Sequence, residues 1–247
     1  MNSILYAALI ISFAAGGVGI YFTNKRKEKP ERRENWIKYI TYFLIINILF
    51  SSVVFGKENF SYVCVFIILM GCIEFGNLQK KSNLSSSWFL ILAAGYILLS
   101  SLFYMYSIRS ETNVLIFTLG AVFAFDAFCQ ISGQLFGRRK LCPKLSPNKT
   151  VEGLGGGLFV AIVISCFIGY ELKFTLFYSM VLGIGVCLFS LAGDLSASWV
   201  KRRYGVKNFS SILPGHGGFL DRFDSLIAAG AFIYLFNLSL GLGVCHQ

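Results

Sequence analysis

The chain has 247 residues, of which 55% are hydrophobic and 14% charged, and its formal net charge is +10. Soluble domains keep about a quarter of their residues charged, so this composition excludes an ordinary soluble globular protein and marks an integral membrane protein. At this length a membrane bundle is expected to form one unit.

Crossing about 30 Å of hydrocarbon takes about 20 mostly apolar residues. In chain order the runs that qualify are 3–22, 37–55, 60–78, 86–106, 113–136, 154–171, 174–199 and 225–244. All exceed strand length and none alternates with period two, which predicts an all-α protein of about eight transmembrane helices rather than a barrel. The first run lacks the basic flank of a cleaved signal peptide and is followed by NKRKEKPERRE, so it reads as a retained helix. Glu28, Glu31 and Glu34 interleave with the bases of that cluster. The mixture fits orientation and anionic-lipid contact, and no nucleic-acid partner is expected.

Lys and Arg collect on the cytoplasmic side of membrane proteins. With the amino terminus outside, the connections 23–38, 79–85, 137–153 and 200–224 share one face and hold every basic residue except Lys57, Arg109 and Lys173. The predicted organisation is therefore amino-terminal transmembrane helices over residues 1–112 and a carboxyl-terminal transmembrane region over 113–247, whose larger loops lie on the cytoplasmic side. The seven cysteines are scattered singly, so neither a disulfide framework nor a zinc site is expected.

The first two of these connections read as plain linkers; the other two are richer. Asp126 lies inside an apolar run, where an ionisable group is costly and faces a polar cavity or partner. After it, SPNKTVEGLGGG supplies Ser146, Lys149, Thr150 and Glu152, then glycines that permit close backbone approach. Thr150 also fits an ordinary helix cap. Further on, Asp194 and Ser198 are four apart on one helical face, followed by Lys201, Arg202 and Arg203, of which Arg203 reads as a simple membrane anchor.

The stretch LPGHGGFLDRFDS then places His216 in a glycine turn before Asp221, Arg222 and Asp224. Three of the chain's 12 acidic residues thus fall between Asp194 and Asp224, among five of its bases. Carboxylates beside cations are what a magnesium–nucleotide site needs, since magnesium is held by one or two carboxylates plus phosphate oxygens.

The segment SASWVKRRYGVKNFSSILPGHGGFLDRFDS resembles the signature of the phosphatidate cytidylyltransferases, also called CDP-diacylglycerol synthases. Ser198, Lys201, Arg202, Lys207, His216, Gly217, Gly218, Asp221, Arg222 and Asp224 match it, and the resemblance extends over about 126–230. Asn208 stands where the pattern has an aspartate, and AFCQ begins after Asp126 where an Ala-Tyr pair is expected.

The resemblance implies attack by the phosphate of phosphatidate on the α-phosphorus of CTP, giving CDP-diacylglycerol and pyrophosphate for phospholipid synthesis. It implies catalytic roles for Asp194, Lys201, Arg202, Lys207, His216, Asp221, Arg222 and Asp224. Substrate binding falls to Asp126, Ser146, Lys149, Thr150, Glu152, Ser198, Gly217 and Gly218. Asp194, Ser198, Asp221 and Asp224 would hold Mg2+, with a monovalent cation and a homodimer left open. The expected surroundings are a bacterial inner membrane, with membrane lipids as neighbours. Three other readings compete: a diverged paralogue with another acceptor or weak activity, a CTP-dependent polyprenol-type lipid kinase, and a membrane transporter.

Overall fold

A computed structural model describes Gly17, Tyr21, Lys25 and residues 28–81, 86–213 and 217–239. Its helices are α1 (Lys29–Phe55), α2 (Lys57–Lys81), α3 (Ser86–Arg109), α4 (Thr112–Phe136), α5 (Val151–Glu171), α6 (Leu176–Arg203) and α7 (Leu220–Ser239). They correspond in order to the second through eighth apolar runs. The first run, 3–22, lies outside the described residues apart from Gly17 and Tyr21, as do His216 and His246. Six of the described helices, α1 to α6, are long and apolar enough to cross a membrane. The chain is an all-α integral membrane protein.

Local chemistry sets the helix ends. Pro30 occupies the first turn of α1, where its missing N–H costs nothing, and Gly56 turns the chain into α2 with a φ of 134°. Thr150 caps α5 by accepting the Gly153 N–H at 3.1 Å, and Thr175 caps α6 by accepting that of Tyr178 at 3.3 Å. Thr150 is thus a helix cap, as its sequence position allowed.

The sequence reading did not foresee a short antiparallel hairpin between α4 and α5. Strand β1 (Lys140–Cys142) pairs with β2 (Ser146–Thr150), aligning Lys140 with Thr150 and Cys142 with Ser146. Glu152 fastens its root, accepting the backbone N–H groups of Arg138 at 2.9 Å and Arg139 at 3.0 Å.

Helix α4 is the hub of the bundle, with Leu115, Phe117, Leu119 and Ala121 fully buried. Its tightest partner is α5: a β-carbon on Gly157 would stand 2.2 Å from the Cys129 sulfur and 2.8 Å from its backbone nitrogen. Only glycine lets the two helices approach so closely. The large apolar side chains left outward on α1, α3, α5 and α6, such as Ile48, Leu98, Phe159 and Phe189, face the position of lipid.

Contacts between connections show that they gather at one end of the bundle. The Arg203 guanidinium lies 4.8 Å from the Trp88 ring centroid at the start of α3. Arg202 donates to the Leu145 carbonyl of the hairpin at 3.4 Å, and the Tyr204 hydroxyl to Gln79 near the end of α2 at 3.3 Å. Three of the connections assigned to one face by their charge therefore meet.

Candidate active site

At that end lies a cavity of about 610 Å³. Helix α4 contributes Asp126, Cys129 and Gln130, and the hairpin contributes Ser146, Asn148, Lys149 and Thr150. Helix α6 supplies Asp194 and Lys201, helix α7 supplies Asp221, Arg222 and Asp224, and Tyr42 enters from α1. Residues scattered over nearly 100 positions of the carboxyl-terminal half thus share one wall.

Close packing of α6 on α7 brings two of the carboxylates together. A β-carbon on Gly193 would lie 2.5 Å from the Asp224 carbonyl oxygen and 2.6 Å from the Ala228 β-carbon. With glycine there, Asp194 and Asp224 can face the same space. Asp194 forms an ion pair with Lys149, tying the hairpin to α6, and accepts the Ser198 hydroxyl at 3.4 Å. Ser198 is buried and off the cavity wall, so it contacts Asp194 rather than the open space.

Asp221 has a different setting. Its Oδ1 receives Lys201 Nζ at 2.6 Å, and its Oδ2 accepts the backbone N–H groups of Gly218 at 2.8 Å and Phe209 at 3.0 Å. The Asp221 side chain is 3% exposed and that of Lys201 11%. Lys201 also lies 5.3 Å from the Phe209 ring centroid. Both oxygens of Asp221 are therefore engaged in joining α6, α7 and the loop between them.

Asp224 and Arg222 are engaged only in part. Asp224 Oδ1 accepts the Ser225 N–H at 2.7 Å, while its Oδ2 is buried without a hydrogen-bond partner among the described residues. Arg222 donates through one terminal nitrogen to the Tyr42 hydroxyl at 3.3 Å and lies 5.9 Å from its ring centroid. Its Nε is also buried and without a partner among the described residues. Buried polar atoms are nearly always satisfied, because an unmade hydrogen bond costs about 1–3 kcal/mol and more for charged groups. Two residues of one cavity wall thus each keep a buried polar atom without a partner among the described residues, a carboxylate oxygen on Asp224 and a guanidinium N–H on Arg222.

Other residues singled out in the sequence lie off this wall. Lys207 is exposed, Arg202 donates to the Leu145 and Val206 carbonyls, and Glu152 holds the hairpin root. Gly217 and Gly218 form the turn before α7, with Gly217 at φ 88° and paired to Leu213 through both backbone groups. The exposed Asn208 side chain packs on that turn: a β-carbon on Gly217 would meet its Cγ at 2.8 Å. Among the described residues no three His, Cys, Asp or Glu side chains converge as a ready-made metal cage.

The sequence profile of the Cytidylyltransferase family matches residues 1–240. The chain belongs to that family. It is similar to the phosphatidate cytidylyltransferase of Staphylococcus aureus strain COL, with 37% identity over 152 residues. That match spans 60% of this chain and 58% of the relative's length. The phosphatidate cytidylyltransferase of Rickettsia typhi is 28% identical over 233 residues, covering 88% of this chain and 99% of the relative. The protein of the same name from Bacillus subtilis is 40% identical over 115 residues, 46% of this chain and 43% of the relative. Family membership covers the amino-terminal helices too, where the motif resemblance had not reached.

Two polar residues of those helices escaped the sequence reading. Tyr42 is on the cavity wall, and Glu74 of α2, fully buried, holds the chain just before α7. Glu74 carried a usable signal, an acidic residue inside an apolar run. Tyr42 carried none, being one of 12 tyrosines in a chain rich in aromatics.

Proposed function

We propose that this protein is a CTP:phosphatidate cytidylyltransferase that makes CDP-diacylglycerol at the cytoplasmic face of a bacterial inner membrane. The observation that carries this reading is a pair of buried, unpartnered polar atoms, Asp224 Oδ2 and Arg222 Nε, on residues that share one cavity wall with Lys149, Lys201, Asp126 and Asp194. A cavity with both signs of charge at a helix-bundle end suits a nucleotide and a phosphate-bearing lipid.

In the proposed reaction a phosphate oxygen of phosphatidate forms a bond to the α-phosphorus of CTP, and the bond from that phosphorus to pyrophosphate breaks. The attacking oxygen is already anionic near neutral pH, so no strong general base is required. The task left to the protein is to bring two polyanions together and to stabilise charge on the leaving group. Arg222 offers its free N–H to a phosphate, and Lys149 can leave Asp194 for one. The Lys201–Asp221 couple fixes the loop and the first turn of α7 around them.

Magnesium fits the donor set. Asp224, with its unpartnered oxygen, and Asp194 would hold it, and when bound it would neutralise phosphate charge. The scarcity of protein ligands is in keeping with an ion that reaches most sites together with substrate phosphates. In this reading Asp221, bonded through both oxygens, supports the site instead of holding the ion.

The test of the reaction is reconstitution in vesicles with labelled CTP and phosphatidate. Pyrophosphate and a CMP-bearing lipid should appear together, dependent on phosphatidate and on a divalent ion removable by chelator. Release of CDP with a phosphorylated lipid would replace this reading with a lipid kinase.

The sidedness has its own test. In a cysteine-free background, single cysteines at Asn148 and Ser211, both exposed at the cavity end, should be labelled by an impermeant reagent from the cytoplasm alone, and one at Asn59 from the opposite side alone. Labelling of positions 148 and 211 from opposite faces would rule out a shared site.

A further inference from the structure

Helix α7 carries Asp221, Arg222 and Asp224 within its first five residues, so the placement of its amino terminus decides where they point. The first N–H groups of a helix have no partner within it and need acceptors from elsewhere. Here the N–H groups at the helix start find a carboxylate from another helix, and the turn before them is held by Asp221. Asp221 accepts the Gly218 N–H, and Glu74, from α2, accepts that of Phe219 on Oε1 at 2.7 Å and that of Leu220 on Oε2 at 2.8 Å. The Ser210 hydroxyl adds a third bond to Glu74 Oε1 at 2.5 Å.

Glu74 is thus a helix cap supplied by another helix, distant by more than 130 positions in sequence. Its charge faces the positive end of the α7 dipole. It is fully buried, and Gly218 fits between it and Asp221: a β-carbon on Gly218 would lie 3.0 Å from Glu74 Oε2 and 2.9 Å from Asp221 Oδ2. Neighbouring contacts from α2 reinforce the hold, with Gln79 accepting the Tyr204 hydroxyl and Phe75 against the Tyr204 ring at 6.2 Å.

We infer that Glu74 is a positioning residue for the proposed cytidylyl transfer: it fixes the amino terminus of α7 and thereby aims Arg222 and Asp224 into the cavity. The inference rests on the cytidylyltransferase reading. Glu74 touches no cavity group itself, so its effect is transmitted through Phe219, Leu220 and Ser210.

Glu74→Gln keeps the shape of the side chain but turns one oxygen into an N–H donor, which must face one of the two backbone N–H groups. The experiment compares wild type, Glu74→Gln, Glu74→Asp and Ser210→Ala as full chains in vesicles, with hydrogen exchange of the 208–220 segment as a readout independent of activity. The expected result for Glu74→Gln is faster exchange of the Phe219 and Leu220 amides and a kcat lowered at least about tenfold per folded molecule. KM for CTP should stay within about threefold, since no substrate contact is lost. Glu74→Asp, which keeps both acceptors, should recover part of the kcat.

Folded Glu74→Gln with kcat within twofold of wild type would overturn the inference. Should that variant fail to fold, Ser210→Ala decides: it removes one of three donors, and a severalfold loss of kcat with faster exchange supports the inference, whereas wild-type values of both overturn it. A wild-type protein with protected 219 and 220 amides and no CTP turnover would instead mean that the functional reading had failed while the cap was real.

Discussion

Asp224→Asn should lower turnover by at least about a hundredfold while the protein still inserts and folds. The substitution keeps the side chain's shape and can keep the Oδ1 bond to the Ser225 N–H, so the helix loses little. What it removes is the buried Oδ2 that no described group satisfies. If that oxygen serves a bound cation, the amide that replaces it presents N–H groups where a positive charge must sit. Loss of a single preorganised electrostatic contact typically costs about 10²–10³ in kcat. The check is kcat measured across a magnesium titration, alongside the thermal unfolding transition. Activity within a few-fold of wild type at saturating metal would show that Asp224 Oδ2 has no part in the reaction.

The second large effect concerns the Lys201–Asp221 pair. Lys201→Met should destabilise the protein by about 3–5 kcal/mol, because removing one member of a buried ion pair leaves the other charge without its counterpart. Asp221 keeps two backbone N–H donors, which places the expectation towards the lower end. The double variant Lys201→Met, Asp221→Asn should recover much of that stability, since an uncharged pair carries no unpaired charge. Its turnover should stay low, because the cavity has still lost a cation. Unfolding transitions of the two singles and the double form a cycle that isolates the coupling. A Lys201→Met protein that unfolds together with wild type would show that the pair contributes nothing to the fold.

The helices were legible because the bilayer imposes length and apolarity on each of them. The seventh shows where that signal weakens: its apolar run begins at residue 225, but the helix starts at Leu220, since Asp221 and Asp224 are compatible with a first turn and only the cap tells where it begins. The residues of the cavity were also legible, as rare charges gathered near span ends. Their division of labour was not. Asp221 and Asp224 are three apart on one face and look alike in sequence, yet one has both oxygens bonded and the other has one free. That difference comes from the Gly217–Gly218 turn and Lys201 one helix away. Nor could spacing reveal the hairpin, whose strands of three and five residues contain two prolines in the neighbourhood and lack alternation. Glu74 shows a further limit: reading 60–78 as merely apolar passes over an acid whose partners lie more than 130 positions away.

Gly193 adds a different kind of control. It bears no charge and no hydrogen-bonding side chain, yet it is the stop on a calliper whose jaws are Asp194 and Asp224. Any side chain there presses on the backbone of the opposing helix and widens the gap, while every charged residue of the signature stays unchanged. The gauge of the cavity between these two carboxylates is therefore set by a residue that carries no charge of its own.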